Sequence, residues 1–136
     1  MTEGKNGKLR RKSRILVAPL DWGLGHAMRC IPIVSELLRN DCEVWLAGEG
    51  VQENVLRSEF PSLPFLRLTG YRVQYAKSSV GLFLSVFFQI PKIVRTIRME
   101  HKWLGRAIKE HGFDAVISDN RFGLYDSDVP SIFITH

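Results

Sequence analysis

The amino-acid sequence predicts an α/β fold in which a parallel sheet of about five strands carries helices on both faces. Two observations favour this class. Short runs of consecutive apolar residues recur along the chain, as expected of strands that are buried on both faces. Segments with apolar residues at helical spacing separate these runs, and strands that alternate with helices pair in parallel. The order of elements is that of a Rossmann-like, doubly wound sheet.

The first strand and the first helix begin this alternation. RILVAPL, residues 14–20, is the first apolar run, and residues 26–39 repeat apolar side chains at helical spacing. Asn40 is the predicted end of the helix. Because Pro32 has no N–H to donate, it must lie in the early turns of this helix or kink it.

The later elements follow the same order. Four further runs have the composition of strands: CEVWLAG (42–48), FLRL (65–68), FDAVIS (113–118) and PSIFIT (130–135). Two further segments are predicted to be helical: VQENVLRSEF (51–60), ended by Pro61, and residues 78–111, with a break near Pro91. The length of 136 residues suits one domain.

The net charge of +5 is concentrated at the start of the chain. Residues 1–14 hold six Lys or Arg and one acid, whereas the remaining 122 residues carry 13 basic and 13 acidic side chains. We therefore expect a basic mobile tail, residues 1–13, and a folded domain, residues 14–136. The tail is interpreted as a solubilising leader, the alternative being a tether to anionic lipid or nucleic acid. No nucleic-acid partner is predicted, since the folded part is neutral and has no recognition motif.

The cysteine and hydropathy patterns indicate the compartment. Cys30 and Cys42 form no CxxC motif or Cys/His cluster, so we predict two reduced thiols and no metal site. No resident cofactor is predicted. No run reaches the roughly 18 to 20 apolar residues that span a bilayer. The protein is expected to be cytoplasmic, either soluble or peripheral at the inner face of the membrane.

The segment DWGLGHAMRC, residues 21–30, stands where the first strand meets the first helix. In doubly wound sheets, ligands collect beyond the carboxyl ends of the strands, near the point where strand order reverses. Gly23 and Gly25 would let the backbone approach a ligand, and unpaired N–H groups at the helix start favour an anion. The loop is not a GxGxxG motif. Spacing alone therefore supports a phosphate or sugar ligand only weakly, with a tight turn capped by His26 as the alternative.

The residues of this turn resemble a known family. GLGHAMR (23–29) is similar to the first glycine loop of GT-B glycosyltransferases, among them the peptidoglycan N-acetylglucosaminyl transferase, and to the GxGHxxRC form of UDP-sugar hydrolases and transferases. EVWLAGEG (43–50), DAVISDNRFG (114–123) and FITH (133–136) match the second strand, the active-site end of the fourth strand, and a strand that ends in a cleft-facing histidine. The combination resembles a bacterial group of family-28-type transferases over residues 14–136.

The resemblance implies roles for individual residues. His26 would be the general base that takes a proton from an acceptor hydroxyl or from water, or else would contact the sugar or diphosphate. Arg29 would reach a phosphate, with a solvated salt bridge as the alternative. Asp119 and Asn120 would bind acceptor hydroxyls, or Asp119 would orient a histidine, and the alternative for both is a helix cap. His136 would line the cleft.

The resemblance also implies partners. GT-B enzymes have two Rossmann-like domains, and the carboxyl-terminal one holds most of the nucleotide-sugar donor. This chain would be the amino-terminal, acceptor-side domain, completed by a donor-binding second domain or by a separate partner chain. The implied reaction moves a sugar from a nucleotide-sugar, by resemblance a UDP-sugar, to an acceptor that is lipid-linked in some relatives, with inversion and without an obligatory metal. Two alternatives remain: a nucleotide-sugar hydrolase of the same fold, and a non-catalytic, membrane-anchoring partner.

Residues 80–111 contain an apolar segment continued by a basic one. Up to Pro91 the segment is apolar on nearly every side, and Phe87 and Phe88 are its candidate membrane-facing residues. Beyond Pro91, bases form a stripe that includes Arg95 and Arg98. This pattern suits docking on an anionic membrane. The alternative is that the apolar part packs beneath the sheet and the basic stripe is simply solvated.

Overall fold

The computed structural model describes residues 10–71 and 79–135, without the side chains of residues 79, 80, 82 and 83. The strands are β1 (Arg14–Pro19), β2 (Glu43–Gly48), β3 (Phe65–Arg67), β4 (Ala115–Asp119) and β5 (Ser131–Ile134). The helices of the described residues are α1 (Leu24–Arg39), α2 (Gly50–Glu59) and α3 (Ser79–His111). All strands pair in parallel, in the order β3-β2-β1-β4-β5.

Two apolar cores lie on opposite faces of the sheet, because successive strand residues point to opposite sides. One core joins Val17 of β1 to Val34 of α1 and Leu56 of α2. The other joins Leu16 of β1 to Leu104 of α3. Helices therefore cover both faces, and the predicted doubly wound α/β fold is confirmed.

Two prolines lie inside helices. Pro32 is the ninth residue of α1, beyond the early turns, and α1 continues past it to Arg39. The break predicted near Pro91 is wrong, since α3 runs through that residue. Both prolines are on the exposed side of their helices, so water can hydrate the carbonyl group that each leaves without a helical donor.

The connection from β4 to β5 departs from the predicted alternation. Residues 120–130 form turns and contain no helix. Ser131, Ile132 and Phe133 of β5 are all exposed, although alternate side chains point to opposite faces of the sheet. Within the described residues β5 pairs only with β4, so it is an outer strand with little cover on either face.

The end of the predicted basic tail contacts the fold. Arg11 Nη2 lies 2.8 Å from Asp114 Oδ1, and Lys12 Nζ lies 2.5 Å from Asp41 Oδ1. The carbonyl oxygen of Ser13 accepts a hydrogen bond from the N–H of Glu43. The chain just before β1 thus lies against the sheet, whereas residues 1–9 of the predicted tail lie outside the described residues.

Candidate functional site

The carboxyl ends of β1 and β4 define the candidate site. These strands are neighbours, and strand order reverses between them, because β2 and β3 lie on one side and β5 lies on the other. In open parallel sheets, ligands bind at this switch point. The glycine turn (residues 21–25) follows β1, and Asp119 is the last residue of β4. The fold therefore brings the glycine turn and the end of β4 to one edge of the sheet.

The glycine turn starts α1. Gly23 is the N-cap residue, and its φ of 77° lies in the left-handed region that favours glycine. Its carbonyl oxygen accepts a hydrogen bond of 2.8 Å from Nε2 of the buried Gln52. At Gly25 an added Cβ would meet no atom within 4 Å. The described fold therefore explains the first glycine and not the second, and the close approach of a ligand at both stays a prediction.

His26 and Asp119 lie side by side across the switch point. Nδ1 of His26, in the first turn of α1, is 2.9 Å from Oδ2 of Asp119. The Asp119 side chain is fully buried and that of His26 is 12% exposed. In the tautomer that makes this contact, Nδ1 donates its proton to the carboxylate, which only accepts hydrogen bonds, and Nε2 has the lone pair. No side chain caps α1, so the capping alternative for His26 is wrong.

Arg29 pairs with the same carboxylate from one helical turn further along α1. Its Nη2 lies 2.7 Å from Asp119 Oδ1, and its Nε lies 3.2 Å from Oδ2. Nη2 is also 2.9 Å from Nδ1 of His26, a contact that is a hydrogen bond only in the other tautomer, in which Nδ1 accepts. The Arg29 side chain is 32% exposed. Asp119 is thus shared by two side chains of α1, one an imidazole and one a permanent cation.

A shallow hollow of about 320 Å³ opens beside these groups. It is lined by Trp22, Gly25, His26 and Arg29. The hollow presents an aromatic ring, helix-start backbone, an imidazole and a guanidinium. This arrangement can accept the proton of a hydroxyl group next to a positive charge that attracts phosphate.

The residues after Asp119 turn the chain. Asn120 has a φ of 55°, and its N–H donates a 3.0 Å hydrogen bond to the carbonyl oxygen of Ile134. No helix begins in residues 120–130, so the helix-cap alternative for Asp119 and Asn120 is wrong. Hydroxyl binding by Asn120 stays a prediction. His136, the other predicted cleft residue, lies outside the described residues.

A buried polar cluster that the sequence analysis did not identify lies behind the site. Arg121 Nη1 and Glu100 Oε1 are 2.7 Å apart, and both side chains are essentially fully buried. Glu100 Oε2 accepts hydrogen bonds from the Tyr71 hydroxyl (2.9 Å) and the Gly123 N–H (3.1 Å). Arg121 Nε donates to the carbonyl oxygen of Pro19, 2.7 Å away. The cluster therefore ties the segment after β4 to the end of β1 and to α3.

The sequence contained only faint signals of this cluster. Glu100 is an acid in a basic segment, and Arg121 lies in the DAVISDNRFG segment, residues 114–123. Neither signal indicates that the two side chains meet. Burial, reinforced by the Glu100 carboxylate, raises the pKa of Tyr71.

Two further carboxylates hold the segment after β3 against the glycine turn. Glu49 Oε1 accepts a hydrogen bond from the Gly70 N–H (2.8 Å), and Asp21 Oδ1 accepts one from the Tyr71 N–H (3.1 Å). A Cβ on Gly70 would collide with the Asp21 carboxylate. The backbone at Gly70 therefore lies so close to the Asp21 carboxylate that a side chain at position 70 is excluded. Within the described residues, no group of three or more metal-ligating side chains occurs.

The candidate membrane-facing residues lie on an exposed part of α3. Phe87 and Phe88 are 62% and 75% exposed, and Leu84 is also exposed. Arg95 and Arg98 are exposed further along the helix. The alternative in which the apolar part packs beneath the sheet is wrong for these side chains. In the part of the chain that the structure describes, no helix is sufficiently long and apolar to cross a bilayer.

Comparison with known proteins identifies the fold. No protein-family model matches the chain, and no curated protein matches it. Among solved structures, the chain resembles Phytolacca americana UGT2 complexed with UDP-2fluoro-glucose and pterostilbene (TM-score 0.61, 17% identity, 91% of this chain and 30% of that one). It also resembles Acinetobacter baumannii MurG (TM-score 0.55, 17% identity, 90% and 34%). A third match is LpCGTa in complex with UDP (TM-score 0.53, 17% identity, 80% and 25%).

These structures are GT-B glycosyltransferases. At 17% identity the likeness shows the fold, a Rossmann-like α/β domain of the GT-B type. The chain spans between 25% and 34% of the length of these three chains. The assignment to the family-28 type stays a prediction.

Proposed function

We propose that this chain is the acceptor-side domain of a glycosyltransferase, with His26 as the general base. The observation that carries the proposal is the contact between His26 and the buried Asp119 at the switch point of the sheet. The fold is shared with glycosyltransferases whose structures hold UDP or a UDP-sugar. A UDP-sugar is accordingly the proposed donor.

In the proposed reaction, Nε2 of His26 takes the proton of an acceptor hydroxyl while the hydroxyl oxygen attacks the anomeric carbon of the sugar. The bond between that carbon and the diphosphate oxygen breaks, and UDP leaves with the electron pair. Asp119 orients the imidazole through Nδ1 and stabilises the imidazolium that forms. Arg29 provides a positive charge at the rim of the hollow, where it can contact a phosphate.

Donor binding is assigned to a second Rossmann-like domain or to a partner chain. This assignment is supported by the coverage, because the chain spans between 25% and 34% of the three structures named above. A nucleotide-sugar hydrolase of the same fold differs in one reactant, since water replaces the acceptor hydroxyl. A non-catalytic partner would show no turnover of its own.

UDP release separates these functions. Because donor binding is assigned to a second domain or partner chain, the full chain is incubated with a donor-binding partner protein and a panel of UDP-sugars, with and without a detergent extract of cell lipids and glycans as the acceptor source. Acceptor-dependent release that His26→Ala abolishes supports the transferase, and release without acceptor indicates the hydrolase. His101→Ala, at an exposed position of α3, is the matched control and is expected to leave the rate unchanged. No release, even when a donor-binding partner protein is added, would contradict a catalytic role.

We also propose that α3 docks the domain on an anionic membrane surface. One face of α3 is exposed at successive positions three or four residues apart, and along it the side chains change from mainly apolar to mainly basic: Leu84, Phe88, Lys92, Arg95, Met99, Lys102 and Arg106. Apolar side chains of such a helix enter the boundary between headgroups and acyl chains, and the bases attract anionic headgroups. The exposure of Phe87 and Phe88 is the observation that favours this role.

Vesicle co-sedimentation tests the docking proposal. The protein is expected to bind vesicles that contain phosphatidylglycerol and not vesicles of phosphatidylcholine alone. The paired variants Phe87→Ser/Phe88→Ser and Arg95→Glu/Arg98→Glu should each lose binding. Arg39→Glu/Arg57→Glu, on α1 and α2, makes the same charge change on the other face of the sheet and should bind normally. Equal binding by all variants would contradict the proposal.

A further inference from the structure

We infer that a hollow between β3 and α3 binds a phosphate ester. The hollow has a volume of about 410 Å³, and it lies between residues 67–70, at the end of β3, and one side of α3. Clefts of this size hold small organic ligands. None of the described residues that line it also lines the hollow beside His26. The inference therefore goes beyond the proposed function and does not depend on glycosyl transfer.

Basic side chains dominate the charge of this hollow. They come from both walls: Arg67 of β3 and, on α3, Lys92, Lys102 and Arg106. Glu100 is the acid among the described lining residues, and its side chain is essentially fully buried and paired with Arg121. A bound anion would thus face several positive charges and a carboxylate that is already neutralised.

Three of these bases, Arg67, Lys102 and Arg106, form no ion pair within the part of the chain that the structure describes. Arg39 of α1 and Arg57 of α2 differ in this respect, because each pairs with a glutamate of its own helix. Like charges that line one concave surface raise its positive potential and attract anions. A multivalent anion would relieve the repulsion among them.

The residue types favour a phosphate ester over other anions. A phosphate group has more acceptor oxygens than a carboxylate, so it can bind several of these bases at once, and guanidinium groups match its oxygens in pairs. Trp103 also lines the hollow and packs against the core, so its ring is held in place. With the exposed Met99 it offers an apolar surface to the organic part of the ester.

The hollow lies between two features described above. At one end, Gly70 rests against the Asp21 carboxylate of the glycine turn. One wall belongs to the face of α3 that is proposed to dock on an anionic membrane. If that proposal holds, a lipid headgroup supplies the phosphate, and this choice of source alone rests on it. A soluble sugar phosphate has the same chemistry.

The test follows the indole N–H signal of Trp103 by NMR in the full chain labelled with ¹⁵N-tryptophan. The chain has three tryptophans, and the signal that is lost in Trp103→Phe belongs to Trp103. The probes are glucose 1-phosphate, monomeric dihexanoylphosphatidylglycerol, and succinate, which carries its two charges on carboxylates. We expect a saturable shift with a phosphate ester and binding of succinate that is weaker by about tenfold or more. The ester that binds more tightly identifies the source of the phosphate.

Arg67→Gln/Arg106→Gln removes one charged donor from each wall and should weaken ester binding by about tenfold or more. Both side chains are exposed, so the variant is expected to fold. The matched control is Arg57→Gln/Lys109→Gln, which removes one base that contacts β3 and one base of α3. The Arg57 guanidinium lies 4.7 Å from the centroid of the Phe65 ring, and neither Arg57 nor Lys109 lines the hollow. This control should keep the wild-type affinity.

Three results would overturn the inference: no saturable Trp103 shift with either ester, succinate binding as tight as ester binding, or equal weakening by the two double variants. A saturating ester should also raise the Tm of the wild-type chain, since it binds the folded state. This measurement needs no variant, and an unchanged Tm would equally overturn the inference.

The indole signals separate this site from the proposed active site. Trp22 lines the hollow beside His26, so its signal reports a phosphate that binds there. A shift of Trp22 alone would overturn the inference and leave the glycosyltransferase proposal standing. A saturable shift of Trp103 in a chain that releases no UDP would support this site and contradict only the catalytic role.

Discussion

Gly23 and Gly25 stand two residues apart in the same turn, yet the fold constrains only one of them. Gly23 has a positive φ, a conformation that a side chain makes costly. Gly25 lies in the first turn of α1, where an added Cβ meets open space. Gly25 lines the candidate hollow, and nothing among the described residues explains why it is a glycine.

Alanine substitution at each position distinguishes a glycine that the backbone conformation requires from one that a bound ligand requires. Gly25→Ala should stabilise the fold by about 0.5–1 kcal/mol, because alanine is the better helix former. Gly23→Ala should destabilise it by about 1–3 kcal/mol, because φ 77° with ψ 175° is a backbone conformation that is essentially restricted to glycine. Urea unfolding measures both. If a ligand approaches the backbone at Gly25, Gly25→Ala will also lower UDP release despite its higher stability, and an unchanged rate would contradict that role.

Cys30 makes stability depend on alkaline pH. Burial raises its pKa from the usual 9.0 to about 12. Above pH 9 the unfolded chain releases the thiol proton while the folded chain holds it, so the free energy of unfolding falls as the pH rises, by up to about 1.4 kcal/mol per unit. Cys30→Ala should flatten this decline between about pH 9 and 10, as followed by urea unfolding. Cys42→Ala, at the partly exposed cysteine, is the control and should keep the wild-type slope.

At the scale of elements, the contact between α3 and the segment after β4 depends on a glycine. A Cβ on Gly123 would collide with the Ile97 carbonyl oxygen and with the Glu100 side chain. The same Glu100 carboxylate accepts the Gly123 N–H. The buried pair of Glu100 and Arg121 therefore requires that the backbone at residue 123 lie directly on α3.

Gly123→Ala should consequently cost about 2–3 kcal/mol, as expected of overpacking in a dense interior. Gly105→Ala is the matched control, since Gly105 lies in α3 itself with open space around an added Cβ. It should stabilise the protein by about 0.5–1 kcal/mol. Thermal and urea unfolding of both variants check the prediction, and similar effects from the two would contradict it.

The elements also show what could be predicted from the sequence. Burial on both faces demands unbroken apolar runs, so RILVAPL and FDAVIS identified β1 and β4 and thereby placed His26 near Asp119. The continuity of α3 through Pro91 could not be predicted, because it depends on which side of the helix is exposed. The pairing of Arg121 with Glu100, 21 residues apart, was missed because spacing does not reveal which buried charges meet.

At the scale of the whole molecule, the strands and helices differ in how deeply they are buried. The centre of the sheet, β1 and β4, is buried between helices, whereas the first part of α3 is exposed at Leu84, Phe87 and Phe88. Local opening is expected where tertiary contacts are few. Resistance to opening should therefore be greatest at the centre and least at this end of α3.

Hydrogen exchange can measure this gradient. Amides of β1 and β4 should exchange slowest, and those of residues 84–90 should exchange within the fast group of the protein. Addition of vesicles that contain phosphatidylglycerol should slow exchange at residues 84–90 and leave β1 unchanged. Protection by phosphatidylcholine vesicles to the same degree, or no protection at all, would contradict docking through α3.

Within the described residues no strand pairs with the outer edge of β5, and this edge has a consequence for the described chain in concentrated solution. Beside the backbone of Ser131–Ile134, the side chains of Ile132 and Phe133 reach the solvent. An extended polypeptide can hydrogen-bond to such an edge strand and add one strand to the sheet. Light scattering should accordingly reveal self-association that grows with concentration, and Phe133→Lys should suppress it by putting like charges on the two meeting edges.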